Sequence, residues 1–212
     1  KLNEARDWDV FEHEILPAIL KKMTSVSEHE PIQQATLATI QDIAIKTRQR
    51  TQKKLHHIEF TVLILAIERH LMALSSHTEM TTKEHIQQWA TKILEDRWQV
   101  LHRCCQGLTT QTGAKRHQAR IAAKKMRYAA DTLFSLFNRK NPQRFTEMLA
   151  NLQDELGYTN DRRVALQLLQ QVAQKKGSAA FDLGRFSGTL EIETLQREHQ
   201  SSDAWRSLSR MK

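Results

Sequence analysis

The sequence predicts an all-α protein, and three observations carry that prediction. Only 6 glycines and 3 prolines interrupt 212 residues, too few for the tight turns that many short strands require. Apolar residues recur every three to four positions along nearly the whole chain, the period of a helix with one buried face. With 40% hydrophobic and 26% charged residues, the chain has enough apolar surface for a core and is not of disordered composition.

The elements follow in order. A first helix is predicted from about Asp9 to Met23, kinked or restarted at Pro17, which lacks a backbone donor. Ser25 to Pro31 is a polar break. One very long helix, or two in line, runs from about Pro31 to Leu74, and the apolar stretch Phe60 to Leu74 reads as a core helix. After a loop from Ser75 to Thr82, Thr81 or Thr82 supplies an N-cap for a helix that ends near Gly107. Thr109 to Gly113 is polar, and a helix follows from about Ala114 to Asn138. Asn141-Pro142 is a strong start signal, an N-cap followed by proline at the first helical position. Gly157 predicts the end of that helix, and Asn160 or Asp161 caps the next, which runs to about Lys176. A further helix covers about Ser178 to Gln200, where Gly184 and Gly188, one turn apart, predict close approach of another helix. Ser201 or Ser202 caps a short last helix carrying Trp205 and Leu208.

Composition also limits function. The formal net charge is +8, which favours an anionic partner. The acids are unevenly placed: none occurs between Arg97 and Ala130, nor between Ile43 and Ile58. Cys104 and Cys105 are the only cysteines; sequence neighbours rarely bridge, so they read as reduced thiols of a cytosolic protein. No apolar run reaches the ~18 residues of a membrane span. Enzyme signatures are missing: no Glu-x-x-His pair for a di-iron bundle, no His-Glu-x-x-His, no glycine-rich phosphate loop and no Cys-x-x-Cys. Asp7 and Asp9 form a D-x-D pair, best read as helix capping or salt bridging. No cofactor or metal is called for.

Two cationic columns stand out. On the helix that includes residues 117–128, His117, Arg120, Lys124 and Arg127 share roughly 80° of arc, with Ala119, Ala122, Ala123, Met126, Ala130, Leu133 and Phe137 on the far side. The column is about 15 Å long at ~1.5 Å per residue. Like charges three and four apart repel, so a ligand that neutralises them explains the arrangement better than folding does. Lys46, Arg50, Lys53 and His57 form the second column, within roughly 60° of arc, opposite Ile40, Ala44, Leu55, Ile58, Val62 and Leu65. Arg97 shares a face with Ile86, Ala90, Ile93, Leu101 and Cys104; it is either a half-buried Arg paired with a carboxylate or the lining of an anion-filled passage.

A faint internal echo aligns Leu2 to Val10 with Leu156 to Val164, matching Leu, Asp and Val at the same offsets. The run His117-x-x-Arg120-Ile121-x-x-Lys124-Lys125-x-Arg127-Tyr128, then Leu152-Gln153-Asp154-x-Leu156-Gly157-x-x-Asn160-Asp161-x-x-Val164-Ala165, resembles the second half of a CHAD domain, the conserved histidine α-helical domain. Arg6-Asp7-Trp8-Asp9-Val10 followed by Leu16-Pro17 resembles the close of that family's first half. The resemblance implies one helical domain over 1–212 built of two related halves with pseudo-twofold symmetry: the rest of the first half over 1–110 and the second over 111–212. It also implies non-catalytic binding of inorganic polyphosphate in a basic groove or pore, in the cytoplasm or at polyphosphate granules, in some members beside a triphosphate-tunnel domain.

The basic motif maps onto His117, Arg120, Lys124, Lys125 and Arg127, with Tyr128 matching and assigned to packing. Lys46, Arg50, Lys53, His57 and Arg97 complete the candidate set. The family's first His-x-x-Arg helix would precede Lys1 by the pattern of the second half, which places roughly 40 residues of the domain outside this sequence and predicts an incomplete basic surface. A helical module for RNA or DNA is the alternative, weakened by a low aromatic content of 6%; a metal-dependent phosphate-processing enzyme ranks third.

Overall fold

The computed structural model describes residues 2–24, 34–75, 82–108, 113–138, 141–175, 179–197 and 199–211. Its regular elements are all helical among these residues. They are α1 (Leu2–Val10), a π-helical stretch (Phe11–Ile15), α2 (Leu16–Thr24), α3 (Gln34–Leu55), α4 (Ile58–Ser75), α5 (Lys83–Cys105), α6 (Gly113–Leu133) with a 3-10 turn after it (Phe134–Leu136), α7 (Pro142–Lys175), α8 (Ala180–Arg197) and α9 (Gln200–Ser209). By packing, the chain divides into two compact units. One comprises Lys1–Met80 with Asp161–Ile192, the other Thr81–Asn160 with Glu193–Lys212.

In the first unit, the opening helix starts well before Asp9, because Ala5 and Trp8 already carry its buried face. Asp7 and Asp9 therefore lie inside a helix and not at its start. Pro17 does not interrupt the chain direction abruptly. Its missing N–H and its ring, which would strike the carbonyl four residues back, are accommodated by the wider turns of Phe11–Ile15 just upstream. Trp8, Phe11 and Ile19 pack with Ile40 and Ala44 of α3, Ala165, Leu169 and Val172 of α7, and Phe186 and Leu190 of α8. Thr36 Oγ1 donates to Asp182 Oδ2 at 2.8 Å, satisfying two buried polar groups inside this core.

Of the two readings of this segment, one long helix or two, the structure has two, divided at His56 and His57. No glycine or proline marks the break. His57 N bonds to the carbonyl three residues back, closing α3 with a tighter turn, and His57 Nδ1 accepts from Glu59 N at the start of α4. The predicted core helix is not in the core: every side chain from Ile58 to Ala73 is exposed. Of the apolar residues expected to back the second column, Ile40 and Ala44 are buried, whereas Leu55, Ile58, Val62 and Leu65 face solvent.

The second unit is held by Leu94 and Leu101 of α5, Ala119, Ala123, Met126 and Ala130 of α6, and Leu149, Leu152 and Leu156 of α7. The alanines on the inner face of α6 leave room for close helix packing. Trp98, Phe134, Phe145 and Trp205 form a chain of ring contacts with centroids 5.4–5.9 Å apart. Thr82 caps α5 by accepting from His85 N, and α7 begins at Pro142 after Asn141 with φ 57°.

Three sequence expectations fail here. Helix α7 does not stop at Gly157 but runs 34 residues to Lys175, so Asn160 and Asp161 cap nothing. Gly184 and Gly188 admit no close neighbour, since an added Cβ would meet nothing within 4 Å. Ser201 lies within α9 and is buried, and His199 precedes that helix without a side-chain cap.

Candidate cation site on helices α6 and α7

Helix α6 turns its alanine face into the core, which fixes where its cations point. Ala119, Ala122, Ala123, Met126, Ala130 and Leu133 are all buried, as their period predicts. His117, Arg120, Lys124 and Arg127 occupy the opposite arc. His117 and Lys124 are exposed, and Arg120 and Arg127 are half-buried.

Two residues of α7 complete the site. His117 Nδ1 lies 3.2 Å from Asn160 Oδ1. With the amide oxygen accepting, Nδ1 is the donor of this hydrogen bond. One turn earlier on α7, the side chain of Arg120 lies across Gly157, its Nε 3.8 Å from where a Cβ would stand. Glycine here serves neither a turn nor a cap; it leaves the surface of α7 low, so the Arg120 side chain can pass over it.

The electrostatics are unbalanced. Among the described residues neither Arg120 nor Arg127 has a carboxylate partner, and the Nε of each is buried without a hydrogen bond. Gln153 Oε1 is likewise buried without a partner, one turn before Gly157 on α7. Buried polar groups are nearly always satisfied in folded proteins, so the open Nε donors of Arg120 and Arg127 are unusual. Tyr128, assigned to packing from the sequence, is 51% exposed. Lys124 Nζ and the Arg127 guanidinium each sit 5.6 Å from its ring centroid, within cation–π range.

Neighbouring cations of α6 have other duties. Arg116 Nη2 donates to Ser201 Oγ at 2.8 Å and Nη1 approaches the Leu108 carbonyl, tying α6 to α9 and to the end of α5. Lys125 points away from the column. With Arg97, Val100, Cys104, Gln118, Ile121 and Ala122 it lines a cavity of about 220 Å³ between α5 and α6. Arg97 is thus exposed on a cavity wall with a second cation, not half-buried beside a carboxylate. Cys105, by contrast, is buried, and its thiol is pushed up to about 12 by desolvation and by the adjacent Cys104.

The second column fares differently. Lys46 Nζ is 2.7 Å from Asp42 Oδ2, one turn back on α3. Arg50 and Lys53 are exposed, and His57 falls in the break after α3, outside the column. Arg48, not among the predicted residues, holds two carboxylates: its Nε donates to Asp9 Oδ1 at 2.5 Å and its Nη2 to Glu12 Oε2. The hydrogen bond to Asp9 raises its pKa further, against the opposing effect of burial. Asp9, half of the D-x-D pair, is occupied by this ion pair. No cluster of three or more metal-ligating side chains occurs among the described residues.

Asn160 and Gly157 are absent from the predicted site, because read locally they signal a helix boundary; their only other mark in the sequence is membership of the motif's second run.

Comparison with known proteins agrees with that motif. No curated protein matches the chain. The crystal structure of the CHAD domain from the plant Ricinus communis is similar to it, with a TM-score of 0.76 and 25% identity over 98% of this chain and 68% of that one. The family model described as CHAD domain matches residues 1–170, and the chain belongs to the CHAD domain family.

Proposed function

We propose that this protein binds inorganic polyphosphate, without catalysis, along the column His117, Arg120, Lys124 and Arg127. The observation that carries the proposal is the pair of half-buried guanidinium groups of Arg120 and Arg127, unmatched by a carboxylate among the described residues and with enclosed Nε donors left open. A polyphosphate chain offers anionic oxygens along its length. Arg contributes a planar fork for two oxygens and Lys a compact charge with rotatable donors. His117 is held through Nδ1 by Asn160 at one end of the column. Lys125 and Arg97 in their cavity extend the cationic surface of the same unit, and Lys46, Arg50 and Lys53 contribute at most long-range attraction.

Binding driven by release of counterions, as for nucleic acids, weakens steeply with salt. Titration of long-chain polyphosphate at rising sodium chloride should show log affinity falling linearly with log salt; an affinity unchanged between about 50 and 200 mM contradicts the proposal.

One observation favours a second reading. The exposed Tyr128 ring between two cations offers a face on which a base can stack, as single-stranded nucleic-acid sites do. Competition at equal phosphate concentration separates the two. Displacement of polyphosphate by RNA supports nucleic acid, and persistence of the polyphosphate complex supports the first reading.

A further inference from the structure

Two contacts show how α6 and α7 run past each other. His117 meets Asn160 and Arg120 meets Gly157, so a step of three forward along α6 is a step of three back along α7. The pair is antiparallel, and the same register sets Arg127 level with Ala150. Gln153 falls between these levels, about 6 Å along α7 from Gly157 and about 4–5 Å from Ala150. Steps of four and three, from 153 to 157 to 160, put it on the face of α7 that carries Gly157 and Asn160. Helix α6, and α7 as far as Asn160, lie in the second unit.

This face of α7 has its own chemistry. Ala150, Gln153, Gly157 and Asn160 are all uncharged. The neighbouring acids are engaged elsewhere or solvated: Asp154 is exposed, and Glu155 Oε1 accepts from Arg197 Nη2 at 3.0 Å. Asn160 is held against His117, and neither Ala150 nor Gly157 brings a polar side chain. Gln153 does, and its Oε1 is buried without a hydrogen bond. The Nε atoms of Arg120 and Arg127, one on each side of its level, are in the same condition.

We infer that Gln153 is a further ligand-contacting residue of this site, donating its amide N–H to a phosphate oxygen held between Arg120 and Arg127. The inference rests on the polyphosphate reading and adds a contact from the opposite helix. A carboxamide suits the position. Being neutral, it leaves the two cations at full strength, which a glutamate of nearly the same shape would not. Half a turn about the last side-chain bond exchanges Oε1 with the NH2 group in the same volume, so the side chain that now encloses its oxygen can present two donors to an anion.

The test is the salt dependence of polyphosphate binding with the charge at position 153 changed in both directions. Log affinity falls against log salt with a slope of about 0.7 per phosphate neutralised on a single-stranded polyanion. Gln153→Lys should tighten binding and steepen the slope by about 0.7, and Gln153→Glu should weaken binding at least ~10-fold and flatten the slope by a similar amount. Gln153→Met, which fills the space and donates nothing, should weaken binding about 3–10-fold with the slope unchanged. Asn151→Lys, which adds the same charge on the exposed far face of α7, should leave the slope near the wild-type value. A purely structural Gln153 would alter melting temperature and affinity without moving the slope in opposite directions for Lys and Glu. The nearly isosteric Gln153→Glu keeps the test decisive should Gln153→Lys fail to fold. Slopes unchanged at position 153, or steepened as much by Asn151→Lys, overturn the inference; the polyphosphate reading then still stands if Arg120→Glu with Lys124→Glu abolishes wild-type binding. A wild-type chain that binds no polyphosphate overturns both.

Discussion

The columns on α3 and α6 have the same period and nearly the same residues, yet they keep different company. On α3, Lys46 meets Asp42 within its own helix, Arg50 and Lys53 are exposed to solvent, and His57 has left the helix altogether. On α6, no acid precedes Asp131 and, among the described residues, Arg120 and Arg127 have no carboxylate partner, while α7 supplies a glycine and an amide. The contrast separates a basic helix face that is balanced or solvated from one whose half-buried guanidinium groups have no carboxylate partner among the described residues. Periodicity alone cannot make that distinction, because it reports which residues share a face and not what stands opposite them.

Charge reversal gives the largest expected effect. Arg120→Glu with Lys124→Glu should abolish polyphosphate binding, a loss of at least ~100-fold from two inverted contacts, while circular dichroism stays unchanged. The matching change on α3, Arg50→Glu with Lys53→Glu, should cost no more than a few-fold through weaker long-range attraction. Equal losses at both places would erase the comparison.

Arg48→Met should leave binding nearly intact but destabilise the protein by about 1–3 kcal/mol, since Glu12, only 15% exposed, loses its partner. A thermal melt reads this directly.

Gly157→Ala sharpens the comparison from the other side. The new methyl group would meet Arg120 Nε at ordinary contact distance, 3.8 Å, so binding should persist. Replacing glycine within a long helix should add up to about 1 kcal/mol of stability. Gly157→Leu, which obstructs the path of Arg120, should weaken binding.

The smallest effect concerns Cys105. A thiol pushed up to about 12 from 9.0 in the folded state is protonated where the unfolded chain's thiol has ionised. Its contribution to stability is therefore whole below pH 9 and falls as pH climbs towards 12. Native protein at pH 8 should yield at most one thiol to iodoacetamide, and denatured protein two.

The helical class and the inner face of α6 were legible because both depend on local period. So were Thr82 as a cap and Pro142 as a first helical residue, where side-chain chemistry acts within one turn. Gly157 and Asn160 misled for the same local reason. Each carries a boundary signal by itself, but packing along α7 on both sides of them outweighs the up to about 1 kcal/mol that a helical glycine costs, and Gly157 meets Arg120 while Asn160 meets His117. The exposure of α4 was not legible, because an apolar helix looks the same whether or not its partners are at hand. The break at His57 was hidden too, since a histidine capping the following helix leaves no glycine or proline to read.

A crystal structure of the protein with long-chain polyphosphate tests the central claim most directly. The account predicts a row of phosphates along α6, with oxygens about 2.7–2.9 Å from the guanidinium groups of Arg120 and Arg127 and the nearest phosphate within reach of His117 Nε2. Phosphates ordered only along α3, or Arg120 and Arg127 still unoccupied in a crystal that holds the ligand elsewhere, would contradict it.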